Sequence, residues 1–109
     1  MIRPLLAGFA AGAALYACAA APPPPRVHEV RMLGSTYAPA RIDARVGDSL
    51  RFVNDDDDAH TVFVPTRGFA ANLGNQPPNA TRDYALAAPG RFEVECMPHP
   101  QMKLVVVVR

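Results

Sequence analysis

Phe92-Glu93-Val94-Glu95-Cys96-Met97-Pro98-His99-Pro100-Gln101-Met102 starts as a strand and ends as a stiff turn. Its first residues alternate, with Phe92, Val94 and Cys96 on one face and Glu93 and Glu95 on the other, the pattern of a half-buried strand. Pro98 and Pro100 then fix two backbone torsions and remove two amide donors, so a rigid turn follows Cys96 rather than more strand. The stretch therefore specifies β structure whose inward face ends on a thiol. Over seven residues, at the spacing CxxHxxM, it also offers a thiol, an imidazole and a thioether.

The same logic extends in both directions. Ala88-Pro89-Gly90 turns the strand predicted over residues 81–87 into this one, and residues 103–109 supply a last strand. Leu104-Val105-Val106-Val107-Val108 is apolar on both parities and belongs in an interior, with Lys103 and Arg109 at its ends to discourage edge pairing. Upstream, strands are expected over residues 26–33, 41–46, 49–54 and 60–64, with a turn over 34–39. Twelve prolines exclude long helices. Residues 65–80 are the least regular stretch, and residues 68–73 are expected to supply one helical turn. Seven or eight short strands in this length predict an all-β sandwich.

Beyond the opening stretch, His60 heads the strand His60-Thr61-Val62-Phe63-Val64, directly after the run Asp55-Asp56-Asp57-Asp58. Two imidazoles, one thiolate and a weakly held thioether form the ligand set of a mononuclear blue-copper site. His60, Cys96, His99 and Met102 are accordingly the candidate ligands for one copper per chain, cycling between Cu(II) and Cu(I). Met97 is expected to face away, because neighbouring residues at a strand end point in opposite directions. His28 has no partner motif and reads as a surface residue. The aspartate run reads either as a solvated turn or as an acidic rim that steers a basic partner. No acid, base or nucleophile is arranged for bond-making, so the chain is not expected to be an enzyme.

These motifs resemble those of the small type I copper proteins, the cupredoxins of the plastocyanin, pseudoazurin and amicyanin group. Gly47-Asp48-Ser49-Leu50-Arg51-Phe52-Val53-Asn54 is similar to that family's strand ending in Asn, His60 stands where its upstream ligand follows, and Ala88-Pro89-Gly90-Arg91-Phe92 is similar to its turn into the ligand Cys. The compact CxxHxxM loop looks most like amicyanin. The resemblance covers nearly all of residues 26–109 and implies a cupredoxin-like Greek-key sandwich that carries single electrons. It also implies an electron port at the downstream His99, with Pro98 and Pro100 around it, and a supporting place for Asn54. Thr61 departs from the family's usual Asn, whose side chain ties the two ligand loops together. Implied partners are redox proteins such as a c-type cytochrome, a dehydrogenase or an oxidase, met by a monomer.

Residues 1–18 read as an export signal: Arg3 precedes an apolar run over residues 5–16 that is too short to span a bilayer. Leu15-Tyr16-Ala17-Cys18 fits a lipoprotein signal, which would lipidate Cys18 and anchor the chain to a membrane. Residues 17–21 offer ordinary small-x-small cleavage sites as well. Residues 19–25 would form an Ala/Pro-rich tether, held extended by Pro22 to Pro25, and residues 26–109 the domain. A periplasmic or otherwise exported location follows. With Cys18 in the leader, Cys96 has no disulfide partner, which favours a metal-bound thiol. Of eleven Lys and Arg, Arg3 is in the leader, leaving ten against ten Asp and Glu. Such balance excludes nucleic acid as a partner on electrostatic grounds. Two other readings keep the same residues: a copper protein that stores or delivers the ion without redox traffic, and a zinc-bound or metal-free β-sandwich used for assembly.

Overall fold

A computed structural model describes residues 21–109, so the expected signal segment, its Cys18 and the start of the tether lie outside the described residues. The described residues form nine strands, most of them with alternating burial: β1 (Val27–Leu33), β2 (Thr36–Ala38), β3 (Arg41–Ala44), β4 (Ser49–Asn54), β5 (His60–Val64), β6 (Ala71–Gln76), β7 (Thr81–Ala85), β8 (Gly90–Cys96) and β9 (His99–Val108). They form a four-stranded sheet in the order β2-β1-β4-β7 and a five-stranded sheet in the order β3-β9-β8-β5-β6. The pairs β1–β4 and β3–β9 run parallel and the others antiparallel, because the chain crosses between sheets after β2, β3, β4, β6 and β7. The inward faces close on one core, in which Phe52, Phe92, Met32, Leu50, Leu86 and Leu104 are all buried.

Two strands, β2 and β6, were not expected from local pattern and arise where pairing overrode it. Residues 34–39 hold a hairpin in place of a simple turn. Gly34 and Ser35 both take positive φ, as a two-residue turn matched to strand twist requires, and the chain returns as β2. Residues 68–73 form no helical turn. Phe69 stacks on Phe92 with ring centroids 4.8 Å apart, and residues 71–76 then pair with β5, which would otherwise present an open edge. Gly90 makes room for this stacking: a Cβ there would meet the Phe69 ring at 2.8 Å, and its φ of 144° is itself unfavourable for other residues.

β9 is not an edge at all. It lies between β3 and β8, so Lys103 and Arg109 have no edge to guard. Leu104, Val106 and Val108 face the core, while Val105 and Val107 are only half-buried on the outer face, flanked in register by Arg41, Glu93, Asp43 and Arg91.

His28 also differs from the surface residue expected of it. Asp48, itself buried, accepts hydrogen bonds from His28 Nε2 at 2.9 Å, from the Arg26 amide at 2.9 Å and from the Arg45 amide at 3.0 Å. These contacts join the start of β1 to the β3–β4 turn. With His28 foremost and the two amides behind it, they hold the Asp48 carboxyl down at about 2. A depressed folded-state value means that this carboxylate favours folding above the ordinary carboxylate range near pH 4, and that the contribution fades as the pH falls towards 2. Asp48→Asn is therefore expected to flatten the loss of stability across that window, read as urea midpoints at successive pH values.

Candidate metal centre

Four elements meet at one end of the sandwich. His60 opens β5, Cys96 closes β8, His99 opens β9, and the β4–β5 connection brings the aspartate run over them. Because Phe92, Val94 and Cys96 share the inward parity, the thiol is delivered to the interior at the strand end; it is fully buried and free of any disulfide. His60 is equally buried, on the same parity as Val62 and Val64. Cys96 and His99 are register partners across a tight turn, so the proline-flanked loop folds the second imidazole back over the thiol.

The three side chains converge. Cys96 Sγ lies 3.7 Å from His60 Nδ1 and 3.6 Å from His99 Nδ1, and the two Nδ1 atoms are 3.2 Å apart. His60 Nε2 stands 2.7 Å from Asp56 Oδ2. An ionised carboxylate only accepts, so the imidazole proton sits on Nε2 and the Nδ1 lone pair is turned to Cys96 and His99. The point equidistant from the three atoms lies about 2.0 Å from each, by the triangle those distances define, close to the roughly 2.0–2.3 Å of metal–imidazole and metal–thiolate bonds. The donor set thus fits a transition-metal ion without rearrangement.

Met102 is buried on the inward face of β9. The register slips between Glu95 and Cys96, so residues 100–102 bulge opposite that step and leave Met102 beside the thiol's strand. Met97 faces away, 66% exposed, as the strand-end argument requires. Pro98 and Pro100 are exposed on either side of a half-buried His99.

Supporting contacts surround the cluster. Asn54 is fully buried; its Nδ2 donates to the carbonyls of Asp58 and Gln76, each at 2.9 Å, and its Oδ1 accepts from the Asp56 amide at 2.9 Å. It therefore shapes the aspartate loop. Thr61 ties the two loops together, its hydroxyl accepting from the Met97 amide at 3.0 Å. The Thr61 amide also points at Cys96 Sγ from 3.5 Å, stabilising negative charge on sulfur.

Three contributors escaped the sequence reading. Asp56 is one: it accepts from the Gly34 and Ser35 amides at 2.7 and 2.9 Å as well as facing His60. The Ser35 amide foremost, then His60 and Gly34, holds its carboxyl below the usual carboxylate range. The aspartate run is accordingly divided. Asp55 pairs with Arg31 and Asp56 turns inward, leaving Asp57 and Asp58 exposed. Tyr37 is the second, buried, with its hydroxyl donating to the carbonyls of Thr61 and Glu95 at 3.2 and 3.1 Å and so bracing β5 against β8. Burial pushes its phenol well above the ordinary range. Gln76, cross-strand from His60, is the third. The spacing of Asp56 four residues before His60 was visible, but nothing in a run of four marks which member turns inward.

Comparison with known proteins agrees with this architecture. A Cu(I) structure of an amicyanin variant superposes with a TM-score of 0.71 at 21% identity, covering 76% of this chain and 82% of that one. A purple cupredoxin from Nitrosopumilus maritimus gives 0.68 at 16%, covering 75% and 99%. The copper-containing nitrite reductase of Thermus scotoductus SA-01 gives 0.70 at 24%, over 84% of this chain but 23% of that one. Among curated proteins, the methylamine utilization protein MauL of Methylorubrum extorquens is 33% identical over 64 residues, 58% of this chain. The chain spans about half the length of that relative, 56%. No family profile matches the chain.

Proposed function

From a chain with the cupredoxin fold, we propose an exported blue-copper electron carrier whose metal is held by His60, Cys96 and His99, with Met102 as a weak fourth donor. The observation that carries this reading is the convergence of two imidazole Nδ1 atoms and one thiol sulfur at 3.2–3.7 Å. Bound there, copper would supply one-electron exchange between Cu(II) and Cu(I).

The residues of the chain supply the remaining requirements. Two imidazoles and a thiolate suit both oxidation states, and their anchoring on β5, β8 and β9 resists rearrangement between them. Thr61 tempers the charge on sulfur through its amide, a known lever on potential at such sites. Asp56 fixes the ring and tautomer of His60. Burial of Cys96 and His60 would keep water from a metal held there and leaves the half-buried His99 as the route outward. Around it, Met97, Pro98 and Pro100 form an exposed apolar collar, suited to brief docking with a redox partner such as a c-type cytochrome, a dehydrogenase or an oxidase. The zinc reading is weaker, because Met102 and the tilt towards soft donors favour copper.

Titration of the purified protein with Cu(II) tests this directly. An intense thiolate-to-copper band in the visible spectrum, complete at one equivalent and bleached reversibly by a reductant, is expected. A folded protein without that band would overturn the reading, and ready surrender of copper to a chelator would favour storage or delivery instead.

Asp56→Asn is expected to lower Cu(II) affinity by about 10- to 100-fold, the usual effect of removing the carboxylate behind a ligating imidazole. Competition with a chelator of known affinity measures it.

A further inference from the structure

Gln76 has no partner for either polar atom of its side chain, although it is fully buried. Among the described residues these are the buried side-chain nitrogen and oxygen atoms left without a hydrogen bond. Each such group costs on the order of 1–3 kcal/mol when nothing answers it. An apolar residue would fill the same place without that cost. A feature this unfavourable calls for a ligand that is absent from the bare chain.

Its position names the ligand. Gln76 is the last residue of β6 and the register partner of His60. Directly opposed residues send their side chains to the same face with Cβ atoms about 4.5–5.5 Å apart. Both are buried, so that face is the interior, at the end where the imidazoles and thiol converge. The Gln76 backbone is also held in place, since its carbonyl accepts from Asn54 Nδ2 at 2.9 Å. A glutamine side chain is long enough to bring its amide from there to the neighbourhood of the His60 ring.

We propose that Gln76 is an additional metal ligand, its amide oxygen acting as a weak donor to the ion held by His60, Cys96 and His99. This rests on the copper reading above. Glutamine oxygen is an established alternative to thioether sulfur as a long, weak ligand in such centres. As a harder donor, it discriminates between oxidation states: it favours Cu(II) and is nearly indifferent to Cu(I). The residue therefore lowers the reduction potential that the softer donors alone would set.

The test compares the full chain with Gln76→Leu and Gln76→Met, measuring Cu(II) and Cu(I) affinities, the Cu(II) electron paramagnetic resonance spectrum and the potential. Leucine removes the polar atoms, while methionine keeps length and volume and changes only the donor. Both variants are expected to lose about tenfold in Cu(II) affinity, with Cu(I) affinity unchanged in the leucine variant and undiminished in the methionine variant, whose soft thioether suits Cu(I). The potential then rises by about 59 mV, the one-electron equivalent of a tenfold change. Altered copper hyperfine splitting should accompany it. Unchanged Cu(II) affinity and spectrum in the methionine variant would overturn the assignment, as would equal losses for both oxidation states, which would indicate packing alone. Failure of the unaltered protein to develop a thiolate-to-copper band removes the copper reading itself, and this inference with it.

Discussion

Cys96→Ser is expected to abolish the thiolate-to-copper band and to lower Cu(II) affinity by more than about 100-fold, beyond what loss of a supporting hydrogen-bond partner costs. Serine occupies nearly the same space, and the Thr61 amide that points at the sulfur from 3.5 Å can still donate to a hydroxyl. The fold should therefore survive. What changes is the donor. A hydroxyl stays protonated at neutral pH and lacks the soft, polarisable sulfur from which the charge-transfer absorption arises. Copper titration of both proteins by visible spectroscopy, with far-ultraviolet circular dichroism to confirm equal folding, gives the comparison. A band that persists in the serine variant would mean that Cys96 is not a ligand, however close it lies to His60 and His99.

Phe92→Ala should produce the largest loss of stability. Phe92 is fully buried on β8, stacks on Phe69 and packs against Tyr84 with centroids 5.7 Å apart. Truncating such a side chain costs about 3–5 kcal/mol, the transfer term plus the cavity it leaves. A small domain has on the order of 5–15 kcal/mol in total. The metal-free variant should therefore unfold at a markedly lower urea midpoint, with the melting temperature falling by about 15 °C or more. Copper should restore part of the loss, about 2.7 kcal/mol when free copper is a hundred times its dissociation constant. A loss below about 1 kcal/mol would contradict the packing of residues 68–70 onto β8.

That packing shows where sequence pattern loses its hold. β4, β5, β8 and the inward half of β9 were legible because their apolar residues alternate, and alternation is the direct imprint of one face meeting a core. β2 and β6 carry no such imprint. β2 is three residues long with Tyr37 its one buried member, and β6 mixes Asn72, Gly74 and Asn75 with few apolar side chains. Both exist because a neighbouring strand offered unpaired backbone. The all-apolar run of β9 pointed to burial on both faces, whereas one face looks outward beneath the flanking charged residues.

In the candidate site the division is similar. The CxxHxxM spacing, the prolines and the strand parity of Cys96 and His60 were enough to name the converging imidazoles and thiol. Short-range spacing constrains side chains through the backbone itself, which a tight turn leaves little freedom. Asp56, Tyr37 and Gln76 were beyond reach of that argument. Each acts across sheets, between loops or, for Gln76, from the neighbouring strand, on partners 4 to 58 positions away along the chain. Thr61 stands where the resembled family has Asn, and its hydroxyl accepts from the Met97 amide and links the loops with a shorter side chain.

The sequence by itself determined the all-β class, the main strands and the identity of the ligand candidates, because alternation and turn chemistry act between near neighbours. Tertiary structure alone decided which aspartate supports His60, which strand covers the edge of β5, and that the unanswered amide of Gln76 is buried on the strand paired with His60. Those outcomes depend on how two sheets close over one another, and the distances across that closure are written in no local pattern.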